Sequence, residues 1–67
     1  MMDGTNRVNL PDVTVLDGGG LFLRCRVGEK IVRIPALRRL PGTTIGWPGD
    51  RGVLVLEREF AIRLGLA

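Results

Sequence analysis

The sequence predicts a mainly β, small α+β protein: a compact five-stranded bent sheet or SH3-like barrel with a short C-terminal helix. Two observations support this prediction. Short runs of β-branched and aliphatic residues recur along the 67-residue chain, and turns rich in glycine or proline separate them. The last of these runs leads directly into a segment with the charges and the terminal glycine of a short helix. Short strands, tight turns and one helix are typical of small bent sheets and barrels.

The N-terminal residues 1–11 are polar, lack hydrophobic periodicity and end at Pro11. They predict a flexible arm, and residues 12–67 are then a single small β-rich domain. Its first strand is predicted over residues 12–16. Asp17 and the three glycines after it predict a turn, because consecutive glycines weaken a strand interior. They do not predict a phosphate-binding loop, since a strand follows them rather than a helix.

Residues 21–34 predict a β-hairpin closed by Gly28 and Glu29, since glycine at the first of two turn positions is typical of a type II′ turn. This register places Arg24 opposite Arg33. Alternation along the strands then assigns six side chains to the core, namely Leu21, Leu23, Cys25, Val27, Val32 and Ile34. The opposite side, called the hairpin outer face below, carries Phe22, Arg24, Arg26, Ile31 and Arg33.

Between the hairpin and the C-terminal segment, the sequence predicts three short elements. Residues 36–40 predict one helical turn with Leu37 and Leu40 facing inward. Residues 43–45 predict a short strand, and residues 46–52 predict an ordered loop because they are rich in glycine and proline. That loop carries Trp47, which either caps the core or anchors an interface.

The C-terminal residues 53–56 predict a buried strand, and a helix follows it. Glu57 and Glu59 in the first helical turn and Arg63 in the last complement the helix dipole. Gly65 stands where a left-handed residue commonly ends a helix.

Residues 52–66 resemble the strand-to-helix motif of AbrB/MazE-type swapped-hairpin regulators. Gly52, the apolar strand and the run Arg63, Leu64, Gly65 and Leu66 stand in matching places, whereas Glu57 replaces the usual proline. The resemblance covers 15 residues and implies a dimeric DNA-binding regulator or antitoxin, without assigning a role to any individual residue.

The composition argues against catalysis. The chain has no histidine, the usual proton-exchanging side chain near neutral pH. Its one cysteine, Cys25, falls on the predicted core side, where a structural role is expected. We therefore expect a non-enzymatic protein with no catalytic, cofactor or metal site. A single cysteine, no signal peptide and no apolar run long enough to span a bilayer together predict a cytoplasmic protein.

Association is expected because a 67-residue chain buries only a limited core and this one has neither a disulfide nor a zinc site to support it. The net charge is +3, and nine of the ten basic residues are arginine, a side chain that suits carboxylate and phosphate. A codon bias toward arginine explains this total more simply, so the placement of the arginines is the more useful evidence. Candidate partner-binding residues are the hairpin outer face together with Arg38, Arg39 and Trp47. The alternative is a solvated face whose arginines pair with Glu29, Glu57 or Glu59.

Three functions remain open. The first is a small binding module, such as an accessory subunit or a phage-type inhibitor, that docks on a protein or nucleoprotein partner through the hairpin outer face. The second is a dimeric regulator that uses the same arginines on nucleic-acid phosphates. The third is a structural homo-oligomer in which the hairpin packs against its symmetry mate.

Overall fold

A computed structural model describes residues 6–67. Four strands form one antiparallel sheet in the order β3-β2-β1-β4, namely β1 (Arg7–Gly19), β2 (Phe22–Val27), β3 (Lys30–Pro35) and β4 (Arg51–Glu57). A 3-10 turn (Ala36–Arg38) follows β3, and helix α1 (Arg58–Arg63) follows β4. The protein is therefore mainly β and compact, with one short helix, as predicted. The described chain has four strands rather than five, and the sheet is not closed into a barrel.

Strand β1 is longer than the sequence predicted. It begins at Arg7, so the expected flexible arm does not extend over residues 7–11, and residues 1–5 lie outside the described part of the chain. Pairing of β1 with β4 is interrupted between Leu10 and Val13, and Asp12 within this interruption has a φ of 58°. Pro11 lies in the same interruption, where no main-chain N–H is needed to pair with β4, so the strand tolerates a proline there.

The predicted glycine turn is also shorter than expected. Strand β1 continues through Gly19, and only Gly20 and Leu21 turn the chain into β2, with a φ of 75° at Gly20. Leu21 was predicted to face the core but is 73% exposed at this turn. Gly18 pairs with Leu23, and a Cβ at position 18 would lie 2.9 Å from the Leu23 side chain. Close strand packing therefore requires a glycine at this position.

The β2–β3 hairpin has the predicted register, with Val27 opposite Lys30 and Arg24 opposite Arg33. Gly28 has a φ of 61°, whereas Glu29 is not among the residues with positive φ, as a type II′ turn requires. The predicted core side is confirmed apart from Leu21, because three of its side chains are buried and two pack against the core: Leu23, Cys25, Ile34, Val27 and Val32.

The core lies on one face of the sheet, under α1 and the loop that precedes β4. Ile45 of the loop and Ala61 of α1 belong to the same buried cluster as Val13 and Leu54 of the sheet. Helix α1 has the predicted acidic residue in its first turn and basic residue in its last, although Glu57 is its N-cap rather than a helical residue.

The end of α1 confirms the predicted glycine cap. Gly65 has a φ of 78°, and its N–H donates to the Ile62 carbonyl at 2.9 Å. The Leu66 N–H donates to the Ala61 carbonyl at 2.8 Å. These two bonds form a Schellman motif, which satisfies carbonyls that a short helix would otherwise leave unpaired.

The predicted strand at residues 43–45 is an irregular segment that lies along the outer edge of β4. The Thr44 N–H donates to the Val53 carbonyl at 2.9 Å, and the Val53 N–H donates to Thr44 Oγ1 at 2.9 Å. The Val55 N–H donates to Thr43 Oγ1 at 3.0 Å. Threonine hydroxyls thus replace main-chain acceptors, which explains why the edge is covered without a fifth strand.

The predicted helical turn at residues 36–40 is a three-residue 3-10 turn flanked by extended residues Pro35 and Arg39. A single turn of this length does not bury two leucines. Leu40 is half-buried, whereas Leu37 is 93% exposed, so the inward orientation predicted for Leu37 is wrong.

Candidate partner-binding surface

The hairpin outer face lies on the side of the sheet opposite the core, and all five of its side chains are exposed. Cross-strand pairing in β2 and β3 brings them together: Arg24 lies opposite Arg33, and Arg26 lies opposite Ile31. Phe22 is 40% exposed and Ile31 is 54% exposed. Two large apolar side chains therefore lie among three arginines on one solvent-facing surface.

The two opposed arginines turn to different neighbours. Arg24 Nη2 lies 2.6 Å from Asp17 Oδ2, and Asp17 is its direct partner on β1. The Arg33 guanidinium instead lies over the Phe22 ring, 4.6 Å from its centroid. This arrangement relieves the like-charge repulsion expected of facing arginines. The ion pair is formed with Asp17 and not with the glutamates that the sequence suggested.

The outer face keeps an excess of positive charge. Within residues 6–67, neither Arg26 nor Arg33 forms an ion pair, while the Arg24–Asp17 pair is itself more than half exposed. Water screens such an exposed pair, so it contributes little to stability and can exchange partners readily. The outer face therefore carries two arginines, Arg26 and Arg33, whose charge no acidic group of the described residues neutralises.

Arg39 lies apart from the hairpin outer face and holds the loop before β4 in place. Its Nε donates to the Ala36 carbonyl at 3.0 Å, and its Nη1 donates to the Ile45 carbonyl at 2.9 Å. The side chain is half-buried. Arg38 also lies elsewhere, because its guanidinium packs over the ring of Phe60 in α1, 4.8 Å from the centroid. The structure therefore does not unite these two arginines with the outer face.

Trp47 is 78% exposed and does not cap the core. Its N–H donates to Asp50 Oδ2 at 2.8 Å, and the Gly46 N–H donates to the same oxygen at 2.9 Å. Trp47 lies on the rim of an open groove of about 280 Å³. The other residues that line the groove are Gly18, Gly19, Gly20, Leu23, Ala36, Arg39, Gly46 and Pro48. This groove is a second surface, distinct from the hairpin outer face.

Leu21 and Leu37 are exposed, although their positions in the sequence predicted that both would face the core. The Ala36 N–H donates to the Leu21 carbonyl at 2.8 Å, which places the β1–β2 turn beside the 3-10 turn that carries Leu37. Both leucines therefore project from adjacent turns at one end of the sheet. The one feature of the sequence that could have indicated their exposure is that each lies in a turn of only two or three residues.

Among the described residues, Asp50 and Cys25 have shifted pKa values, and neither shift suggests catalysis. Hydrogen bonds from the Trp47 and Gly46 N–H groups lower the pKa of Asp50, because they stabilise its carboxylate. Burial raises the pKa of the Cys25 thiol, and the nearby Arg39 charge opposes this only in part. Cys25 is fully buried, so its thiol has neither the access nor the ionisation that a nucleophile needs.

Among residues 6–67, no group of three or more acidic, cysteine or histidine side chains is placed to hold a metal ion. In the same part of the chain, no helix is both long and apolar enough to cross a membrane.

Comparisons with protein-family models, with curated proteins and with solved structures give no match to this chain. The likeness of residues 52–66 to AbrB/MazE-type regulators accordingly remains a resemblance of one strand and one helix.

Proposed function

We propose that this protein is a small, non-enzymatic binding module that docks on a protein or nucleoprotein partner through the hairpin outer face. The observation that supports it best is the exposure of Phe22 and Ile31 among three arginines, of which only Arg24 has an acidic partner within the described residues. An accessory subunit in the cytoplasm or a phage-type inhibitor would need one such surface and little else.

The physical chemistry of interfaces favours this assignment. Arginine and aromatic side chains are enriched at protein interfaces, where they supply apolar contact and directed hydrogen bonds together. Stacking on Phe22 restrains the Arg33 side chain before a partner arrives. Less side-chain freedom is then lost on binding, so more of the interaction free energy appears as affinity.

The first experiment compares partner capture by the wild type with capture by Arg26→Ser/Arg33→Ser. A matched control, Arg58→Ser/Arg63→Ser, removes the same charge from helix α1, which packs on the opposite side of the sheet. We expect the outer-face variant to lose the captured partner and the control to retain it, with similar melting temperatures for both. Equal capture by the two variants excludes the outer face as the docking surface.

Nucleic acid is the principal alternative, because the same arginines fit phosphates and Phe22 could stack on a base. Nuclease treatment before capture tests whether an associated protein is held only through nucleic acid. A salt titration adds a quantitative test: duplex binding weakens with a log–log slope of about −0.9 for each phosphate neutralised, whereas apolar docking depends weakly on salt. A steep slope with nuclease-sensitive capture supports the regulator instead.

A homo-oligomer that buries the hairpin is tested without any partner. Its melting temperature must rise with protein concentration, because dissociation is coupled to unfolding. Stability that is independent of concentration leaves the outer face available to another molecule.

A further inference from the structure

We propose that the partner supplies an extended acidic segment that adds to β3 as a further strand of the sheet. This inference rests on the proposed binding function and specifies its mode and the chemistry of the partner. The feature that carries it is an unpaired strand edge directly beside the cationic outer face.

In the part of the chain that the structure describes, strand β3 is the terminal strand of the sheet and pairs only with β2. A two-residue turn makes Val27 and Lys30 the first hydrogen-bonded pair, and hydrogen bonding then alternates along an antiparallel ladder. Ile31 and Arg33 consequently direct their main-chain N–H and C=O groups away from β2. Within residues 6–67, no main-chain or side-chain group bonds to these outward groups.

The ends of this edge limit where a strand can pair. Pro35 has no N–H to offer, and Lys30 directs its Nζ to the Gly65 carbonyl at 3.1 Å. Proline and lysine are residues that commonly prevent edge strands from pairing without control. The open window is therefore Ile31 to Arg33, which offers two N–H donors and two C=O acceptors to one short segment.

The side chains beside this window select the occupant. A segment added to β3 extends the outer face, so its alternate side chains lie next to Ile31 and Arg33, with Arg26 one strand further away. Opposite charges in such cross-strand positions are stabilising, and like charges are destabilising. Aspartate or glutamate is thus favoured near Arg33, and an apolar residue near Ile31. Strand β3 of a second copy carries lysine and arginine but no carboxylate, so it offers no opposite charge to Arg33.

The probe is a synthetic peptide of about seven residues, a length typical of one strand. One face of the peptide carries glutamate and valine in turn, and threonine occupies the positions between them. Its controls are the same peptide with lysine in place of glutamate and an N-methylated acidic peptide that cannot complete the ladder. We expect the acidic peptide to bind, to slow amide hydrogen exchange at Ile31 and Arg33, and to bind at least about tenfold more tightly than either control. Absence of acidic-peptide binding, or equal binding of the N-methylated form, overturns the proposal.

Two protein variants complete the test. Ile31→Pro removes an outward N–H without removing a β2–β3 hydrogen bond, and Ile31→Thr removes the apolar side chain but keeps that N–H. We expect Ile31→Pro to weaken peptide binding more than Ile31→Thr. The N-methylated peptide makes the same test on the unmodified protein, so the conclusion does not depend on the folding of the proline variant.

The outcomes also separate this inference from the proposed function. If Arg26→Ser/Arg33→Ser abolishes binding while Ile31→Pro and peptide methylation have no effect, the outer face binds without strand addition. If none of these changes affects binding, both proposals are wrong. If the protein dimerises without peptide and Ile31→Pro abolishes that dimer, the segment that adds to β3 belongs to a second copy of this chain. Preference for a single-stranded oligonucleotide over the acidic peptide identifies nucleic acid.

Discussion

The two edges of this sheet are treated very differently by the chain that surrounds them. At the β4 edge, residues 40–44 satisfy Val53 and Val55 with main-chain groups and threonine hydroxyls. At the β3 edge, the described chain leaves Ile31 and Arg33 with outward main-chain groups that nothing bonds. One edge is completed from within the protein, and the other remains open to water or to a partner.

On the proposed function, this difference separates the edge that stabilises the fold from the edge that binds a partner. The covered edge lies beside Leu54 and Leu56, which are fully buried, so its hydrogen bonds help to close the core. The open edge lies beside the exposed arginines, where changes affect few core contacts. Substitutions at the β4 edge should therefore reduce the free energy of unfolding, while substitutions of Ile31 and Arg33, which face away from the core, should change it little.

Gly52→Ala should produce the largest loss of stability. A Cβ at this position would overlap Thr44 Oγ1, the acceptor of the Val53 N–H, and would push the covering segment away from β4. We expect a loss of about 2 kcal/mol in the free energy of unfolding, measured by chemical denaturation. Gly19→Ala is the matched control, because a Cβ there meets nothing within 4 Å. Equal losses in the two variants would contradict the overlap.

Thr43→Val should produce a smaller loss. The substitution keeps the side-chain shape but removes the acceptor of the Val55 N–H, which is partly buried. We expect a decrease of about 1–2 kcal/mol in the free energy of unfolding. Thr43→Ser retains the hydroxyl and should recover most of that stability. If serine and valine are equally destabilising, the methyl group rather than the hydrogen bond maintains this edge.

Acid should have the smallest effect, confined at first to the loop that leads into β4. Because the pKa of Asp50 is lowered in the folded protein, the stability from its carboxylate is present above the ordinary aspartate pKa of about 3.9 and is lost as pH falls through the lower folded value. We expect the fluorescence of Trp47 to change below about pH 4, before the β-sheet circular dichroism does. Asp50→Asn should abolish that early change; its persistence would assign the change to another group.

The sequence was sufficient to predict the hairpin because local rules determine it. Gly28 at the first turn position sets the register, and alternation then divides the core side from the outer face. The helix cap at Gly65 was predictable for the same reason, since a glycine in that conformation needs no distant contact.

The remainder depended on distant contacts that local patterns do not show. Pro11 indicated the end of an arm, but the pairing of β1 with β4 absorbs it in a bulge. Residues 43–45 were predicted to form a strand, but it is the hydroxyls of Thr43 and Thr44 that accept hydrogen bonds from β4. The sequence placed Arg39 in a basic patch, but its guanidinium is held by the carbonyls of Ala36, which precedes it, and Ile45, which follows it. The outer face could be assigned from sequence, but the separation of Arg38, Arg39 and Trp47 from it could not.

Burial of Cys25 in the middle of β2 gives the protein an intrinsic reporter of hairpin opening. It is the only cysteine in the chain, and its thiol is inaccessible while the core is closed. A thiol-reactive dye can label it only in molecules whose core has transiently opened, so the labelling rate reports the population of that open state. A ligand that adds to β3 should slow the labelling without approaching the sulfur, which would measure occupancy of the edge from inside the core.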